Sequence, residues 1–495
     1  MQIQSLRKLV ALVAITVVGA AQAVRAQAPA IAPSSPADAD HAQAQTQTQA
    51  LAKEIFKQLI EINTTDTPLG NVTTGTTAMQ KRFLDAGFSP EDVHLLGPNE
   101  RKQNLVVRIR GTGKEKPVLF LCHMDVVEAL PSDWHTDPFK FVEKDGYYYG
   151  RGTQDMKESD AALVATFLRL HHEGYKPQRD LILALTADEE SGRSNGASWL
   201  VQNHRDLVDA AFVINPDSGG IELDHGKPVT ADVEATEKVY ADFQVTATNP
   251  GGHSSRPRPD NAIYELTAAL NKLAAYSFPF ELNGVTRAYF DALTKKESGE
   301  TTADIRAILA TPPDMAAVAR LSTEPDFNSN FRTTCVATRL AAGHANNALP
   351  QTAQANVNCR IFPGHSPEQI RQQLVQLFDD SKLSVKYISD VTDMPMDTAP
   401  ERKAIVPPPP LPEVFGPLTA LVQQIWPGTP VTAVMENGAS DSIYFAQAGI
   451  PSYGFSAIAL ERGDDRAHGQ DERLPIDSYI KSVDFFYAYT KALGK

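Results

Sequence analysis

Cysteine is scarce in this chain, with three residues in 495. Three cannot build a disulfide framework, so at most one pair forms. Cys335 and Cys359 fall on two neighbouring predicted strands and can pair in an oxidising compartment. A thiol titration of unfolded, unreduced protein separates the paired from the free state. Cys122 sits in an apolar run and reads as a small buried hydrophobe. Positive charge is scarce too. Lys and Arg number 46 against 60 Asp and Glu, a formal net charge of −14. Nucleic acid needs a basic surface, so that class of partner is disfavoured. Beyond the N-terminus no apolar run is long enough to span a bilayer. No G-x-S-x-G elbow is present, and no internal repeat.

The N-terminus has the pattern of a signal peptide. Arg7 and Lys8 precede the apolar run "LVALVAITVVGAA", which is short for a membrane span and has no Cys after it for a lipid anchor. A-x-A sites end at Ala23 and Ala28; cleavage after Ala28 would leave Pro29 next to the cut, so 1–23 is the expected leader. The mature protein is then exported, periplasmic or secreted, and soluble. Residues 24–47, rich in Ala, Gln, Pro and Ser, read as a disordered tail.

A chain of this length predicts two domains. A helix begins near Gln49. Three segments then share a design: "PVLFLCHMD", "LILALTADEE" and "AFVINPDSGG" are short apolar runs ending in His or carboxylates. Such runs read as strands buried on both faces, hence a mostly parallel central sheet. Helical patterns between them make the class α/β. From about Lys238 the texture changes to alternating strands and helices in the order β-α-β-β-α-β, with an antiparallel sheet. "VPPPPLPE" marks the return, and "IPSYGFSA" reads as one more buried strand of the first domain. The expected boundaries are 48–236 and 396–495 for the first domain and 237–395 for the inserted one.

The stretch "INPDSGG" poses a choice between Ser218 as nucleophile and Asp217 as a metal ligand. A chymotrypsin-like oxyanion hole uses the N–H of the nucleophile and that of the residue two before it. Here that residue is Pro216, which has no N–H. Losing such a donor costs about 10²–10³ in rate. The strand ends read better as a metal site, because zinc takes His nitrogen and carboxylate oxygen. The candidates are His123 and Asp125 in "HMD", Asp155 in "GRGTQDMK", Glu189 and Glu190 in "DEESG", Asp217, and His468 in "HGQDER". A lone Asp after a strand is more often a helix cap, and a lone His a satisfied core or surface residue. The set in this order carries the weight, since ligands sit at the carboxyl ends of parallel strands.

These blocks, with "GGHSSRPRPDNAI", "NNALPQTAQANVNCRIFPG" and "GASDSIYFAQAGIPSYGFS", make the chain resemble the di-zinc exopeptidase family of aminoacylases, carnosinase-type dipeptidases and bacterial glutamate carboxypeptidases. The resemblance runs from about residue 50 to the end. It implies a zinc-peptidase catalytic domain and an inserted ferredoxin-like lid and dimerisation domain. It implies two Zn²⁺ per chain, with cobalt or manganese also suited to the ligand types. Asp155 would bridge the metals, His123 and Asp217 completing one shell, Glu190 and His468 the other. The leftover positive charge would favour a bound hydroxide. Asp125 would orient His123 through its other ring nitrogen, and Glu189 would act as general base. A cis peptide bond is implied after Asp155.

The same resemblance makes His253 the group that bonds the developing oxyanion, often from a partner subunit, so a homodimer through the lid is implied. Asn346 and Arg360 would hold the substrate carboxylate, with Gly438 and Ser440 beside it; Asp441 reads as a helix cap. Glu158 departs from the family's usual Gly and puts substrate preference in doubt. The long insertion from about 284 to 330 is similar to that of the branch with secreted N-acyl amino acid hydrolases and yeast Gly-X carboxypeptidase. His135, His171, His172 and His344 read as ordinary surface or core residues. The implied function is exo-acting hydrolysis of the amide bond in a small peptide or N-acyl amino acid. The rivals are a non-catalytic peptide-binding module on the same fold and, more distantly, a serine hydrolase.

Overall fold

The computed structural model describes residues 36–295, 299–401 and 404–495. The expected leader, 1–23, and the tail as far as residue 35 lie outside them. The first helix, Pro36–Ile60, starts well before Gln49, so residues 36–47 of the expected tail are helical. Ala and Gln are good helix formers even where nothing apolar is present to bury, and Pro36 suits a first helical position. The chain divides into two units, Met1–Gln45 and Thr46–Lys495. Every described strand lies in the second unit.

A ten-stranded sheet forms its larger part. At the centre, strands Arg179–Thr186, Glu115–His123, Phe212–Asn215 and Ser452–Gly454 lie side by side and parallel. These are the four apolar runs read from the sequence. Their side chains alternate between two cores, as strand geometry requires. Val118, Phe120 and Cys122 face one core with Phe83, Phe167 and Phe485 from covering helices. Leu119 and Leu121 face the other with Leu200 and Phe445. Away from the centre the pairing is mixed, antiparallel in places and parallel at Ala459–Glu461 and at Val431–Glu436, a strand that the sequence reading does not anticipate. Among the described residues no helix is long and apolar enough to cross a membrane.

The smaller sheet follows the expected β-α-β-β-α-β order. Strands Thr334–Ala342, Thr352–Ile361, Val239–Thr248 and Leu383–Ile388 pair antiparallel in that spatial order, the ferredoxin-like arrangement. Val239, Ala241, Phe243, Val245 and Ala247 alternate onto helices Ala262–Ala275 and Pro367–Phe378. Cys335 and Cys359 are cross-strand partners joined by a disulfide, their Cα atoms 4.1 Å apart; Cys122 is free and buried.

The sequence reading assigns no elements to the stretch from 284 to 330. It holds short helices, Gly284–Leu293, Glu300–Leu309, Met315–Leu321 and Pro325–Asn330. Phe290, Ile305, Ile308 and Phe331 give it a small core of its own. Asn283 caps the first with a capping box and Asp314 caps the third. Helices this short carry too few periods to stand out in sequence.

Candidate metal centre

Because the central strands are parallel, the residues just beyond them reach one edge of the sheet. His123 ends its strand fully buried, and the main-chain N–H of Met124 donates to the Thr186 carbonyl at 2.8 Å. The neighbouring strand leads through Asp188, in a left-handed conformation at φ 67°, to Glu189 and Glu190. Buried Lys102 pins that turn by pairing with both Asp188 and Asp66. Asp217 follows the third strand. Asp155 precedes helix Lys157–His172, and the Asp155–Met156 bond is cis, as expected. His468 arrives from the C-terminal segment on a loop, at φ 62°.

These side chains converge on Asp155. His123 Nε2 lies 3.0 Å from Asp155 Oδ1 and 3.3 Å from Asp217 Oδ1. His468 Nε2 lies 3.0 Å from Asp155 Oδ2 and 3.0 Å from Glu190. Each oxygen of one carboxylate thus serves a different histidine. The donors form two triads sharing Asp155, with the atoms of each within 4.8 Å of one another. One ring N–H can satisfy only one acceptor at full strength, yet each Nε2 faces two carboxylates. Nitrogen and carboxylate oxygen around two common points suit a pair of dications of the zinc type.

Without a cation the histidines carry the countercharge. Asp155 and Glu190 hold the His468 ring protonated, raising it to about 10. Burial pulls His123 down, but Asp217 and Asp155 outweigh it and push it well up. Burial also disfavours charge on Asp155, yet the two rings hold it below the carboxylate range. Glu189 goes the other way. Burial, reinforced by the charges of Asp217, Asp441 and Glu190, pushes it well above the carboxylate range.

Asp125 faces the other ring nitrogen of His123 with its backbone rather than its side chain. The ring Nδ1 of His123 faces the main-chain carbonyl of Asp125 at 3.1 Å, while the Asp125 carboxylate is 3.8 Å away. That carboxylate instead accepts the N–H groups of Glu189 at 3.2 Å and Glu190 at 3.0 Å. The side chain therefore aims the acidic doublet, and the backbone holds the ring. Asp441 differs from expectation as well. It stands at a helix N-cap position, but its carboxylate makes no capping bond; it accepts from Thr186 at 2.9 Å and Asn195 at 2.6 Å.

Beside the triads lies a cavity of about 510 Å³, lined by Glu189, Glu190, His468, Tyr240, Arg360 and Ser440 among others. Arg360 stacks over Tyr240, 4.8 Å from the ring centroid. The Ser440 N–H donates to Glu237 at 2.7 Å. Gly438 donates to Glu436 at 3.0 Å and does not line the cavity. His253 and Asn346 are exposed and likewise outside it. His253 belongs to a two-stranded ribbon, Gly252–His253 with Ala348–Leu349. Glu158 points into the core, where Ser159 donates to it at 2.9 Å. The Ser218 hydroxyl donates to Glu234, which leaves it no histidine base. His135 pairs with Asp471 at 2.6 Å and His171 stacks on Phe88, as ordinary surface contacts.

The family model of peptidase family M20/M25/M40 matches residues 119–492. The chain belongs to that family. It is thus a hydrolase of amide bonds of the metallopeptidase type. A Dictyostelium discoideum protein named "Probable carboxypeptidase S-like 2" is 31% identical to this M20 hydrolase over 396 residues, 77% of this chain and 72% of that protein. The "N-fatty-acyl-amino acid synthase/hydrolase PM20D1" of Xenopus tropicalis is 29% identical over 378 residues, 75% of this chain and 71% of that protein. Among solved structures, the M20 family metallo-carboxypeptidase Sso-CP2 from Sulfolobus solfataricus shares the fold with a TM-score of 0.66 at 16% identity, over 90% of this chain and 99% of that one.

Proposed function

We propose that this M20 hydrolase is an exported, zinc-dependent exo-amidohydrolase that releases an amino acid with a free carboxylate from small peptides or N-acyl amino acids. The observation that carries the reading is the single Asp155 carboxylate shared by two His-and-carboxylate triads, with Glu189 beside them. His123, Asp155 and Asp217 would hold one zinc ion, and Asp155, Glu190 and His468 the other. Zinc bound there supplies Lewis acidity to the scissile carbonyl and makes water a better nucleophile at neutral pH. Asp125 holds the Glu189–Glu190 turn through two N–H groups, so Glu189 is fixed where it takes a proton from the attacking water and passes it to the leaving amine. Arg360, on the cavity wall over Tyr240, would offer a planar two-donor fork to the substrate carboxylate, with Ser440 beside it and Gly438 and Asn346 on adjoining segments.

His253 is exposed on the inserted domain, so its service to the oxyanion would come from a second copy of the chain. A homodimer follows from that reading. The disulfide between Cys335 and Cys359 supports an oxidising compartment, in keeping with the leader over 1–23. The relatives carry carboxypeptidase and N-acyl-amino acid hydrolase in their names, and both activities need the same recognition of a terminal carboxylate.

The test is amino acid release by the zinc-loaded protein from dipeptides, longer peptides and N-acyl amino acids, with and without a chelator. Chelator-sensitive release from one class establishes the hydrolase and names its substrates. No release from any class, with two zinc ions bound, transfers the assignment to a peptide-binding module.

A further inference from the structure

Two loops distant in sequence meet at the metal centre. Residues 150–156 carry Asp155, and residues 464–473 carry His468. Beside them the short strands Tyr147–Tyr149 and Arg473–Pro475 pair, and the Gly150 N–H donates to the Glu472 carbonyl at 3.2 Å. Further connections run through three side chains outside the cavity lining.

Glu472 is fully buried. Its Oε1 accepts the N–H of Gln154 at 2.6 Å and of Asp155 itself at 3.3 Å. Its Oε2 accepts the N–H of Gly152 at 3.0 Å and the Arg151 guanidinium at 2.6 Å. Arg151 reaches back to the carbonyl of Gly469, next to His468, at 3.0 Å. Gln154 spends its whole amide on the other loop. It donates to the carbonyls of Asp464 at 3.1 Å and Arg473 at 2.7 Å, and accepts the N–H of Arg466 at 2.6 Å. Each loop thus supplies a side chain that bonds the other's backbone. A buried carboxylate with four donors is strongly oriented. One of those donors is the main-chain N–H of the shared ligand.

We propose that Glu472 and Gln154 are positioning residues of the metal centre. They set the separation of Asp155 and His468, so that the Asp155–Glu190–His468 triad closes only while the two loops are stitched. The His123–Asp155–Asp217 triad, in which His123 and Asp217 are anchored at strand ends, depends on the stitch less. This inference rests on the reading that both triads hold a metal ion.

The experiment uses the full chain, stripped and reloaded with Zn²⁺ or Co²⁺, as wild type, Glu472→Gln and Gln154→Leu. Metal per chain, chelator competition and the visible spectrum of the cobalt form are the readouts. Glu472→Gln keeps the volume but sets an NH₂ group against N–H donors. It is expected to weaken one of two metals by about 10–100-fold, to alter the cobalt spectrum, and to lower kcat more than it changes KM. Gln154→Leu, which leaves the buried ion pair intact, is expected to shift the same readouts in the same direction by less, and it decides the matter if Glu472→Gln does not fold. Two metals bound with wild-type affinity and an unchanged cobalt spectrum in the folded variants overturn the inference. So does equal weakening of both metals. A wild type that binds fewer than two metals instead overturns the two-metal reading, and the stitch with it.

Discussion

His123 and His468 face the same carboxylate from opposite sides and are held in opposite ways. The His123 side chain is 2% exposed at the end of a central strand, and that of His468 is 56% exposed on a loop. One half of the centre is fixed by the sheet, which cannot move without disrupting the core. The other is fixed by local hydrogen bonds between loops. The same donor chemistry therefore rests on supports of very different stiffness, and changes on the two sides should have unequal consequences.

The largest effect should erase the difference. Asp155→Asn removes the charge that both halves share, so turnover should vanish and both metals should leave, as metal analysis after desalting would show. One tightly retained ion would mean the halves are independent. Next, Glu189→Gln should lower kcat by about 10²–10⁴-fold while metal content stays at the wild-type level. Unchanged turnover in that variant would sink the proposed proton transfer.

The comparison itself is tested by paired histidine variants in the metal-free protein. His123→Ala removes a fully buried ring that faces Asp217 and one oxygen of Asp155, whose other oxygen keeps His468, so a loss of up to about 3–5 kcal/mol is expected. His468→Ala removes a half-exposed partner, where about 0–1 kcal/mol is expected. Denaturant unfolding gives both values, and equal losses would break the comparison. The last test lies outside the two triads and concerns Glu234, which receives the Ser218 hydroxyl next to Asp217. Burial raises its pKa from 4.5 to about 8. The folded state therefore keeps a proton that the unfolded state releases, and stability falls as pH rises from about 4.5 to about 8. Glu234→Gln should remove that slope, on the order of 1 kcal/mol per pH unit. Parallel stability curves for wild type and variant would refute it.

Legibility in the sequence obeys the same division. His123, Glu190 and Asp217 stand directly after apolar runs, and parallel strands bring such positions together whatever lies between them. The α/β class and the β-α-β-β-α-β insertion follow from the same periodicities. The roles that depend on backbone partners are not legible. Asp125 looks like a partner of a histidine ring two residues away, but its bonds go to main-chain N–H groups after another strand. Glu472 and Gln154 lie 318 residues apart, and no local pattern relates them. Asp441 and Asn195 are in the same position. The early start of the first helix and the helices after Asn283 are missed because sequence reading weighs apolar periodicity above backbone propensity.

The Glu189–Glu190 doublet has an evolutionary consequence. In the proposed mechanism neighbouring codons would specify a proton carrier and a metal ligand, and one carboxylate accepts the N–H of both. A lineage that altered Glu189 alone would keep the cleft, the metal donors and Arg360, and would become a receptor for the molecules it once cut. One that altered Asp125 would loosen both functions together.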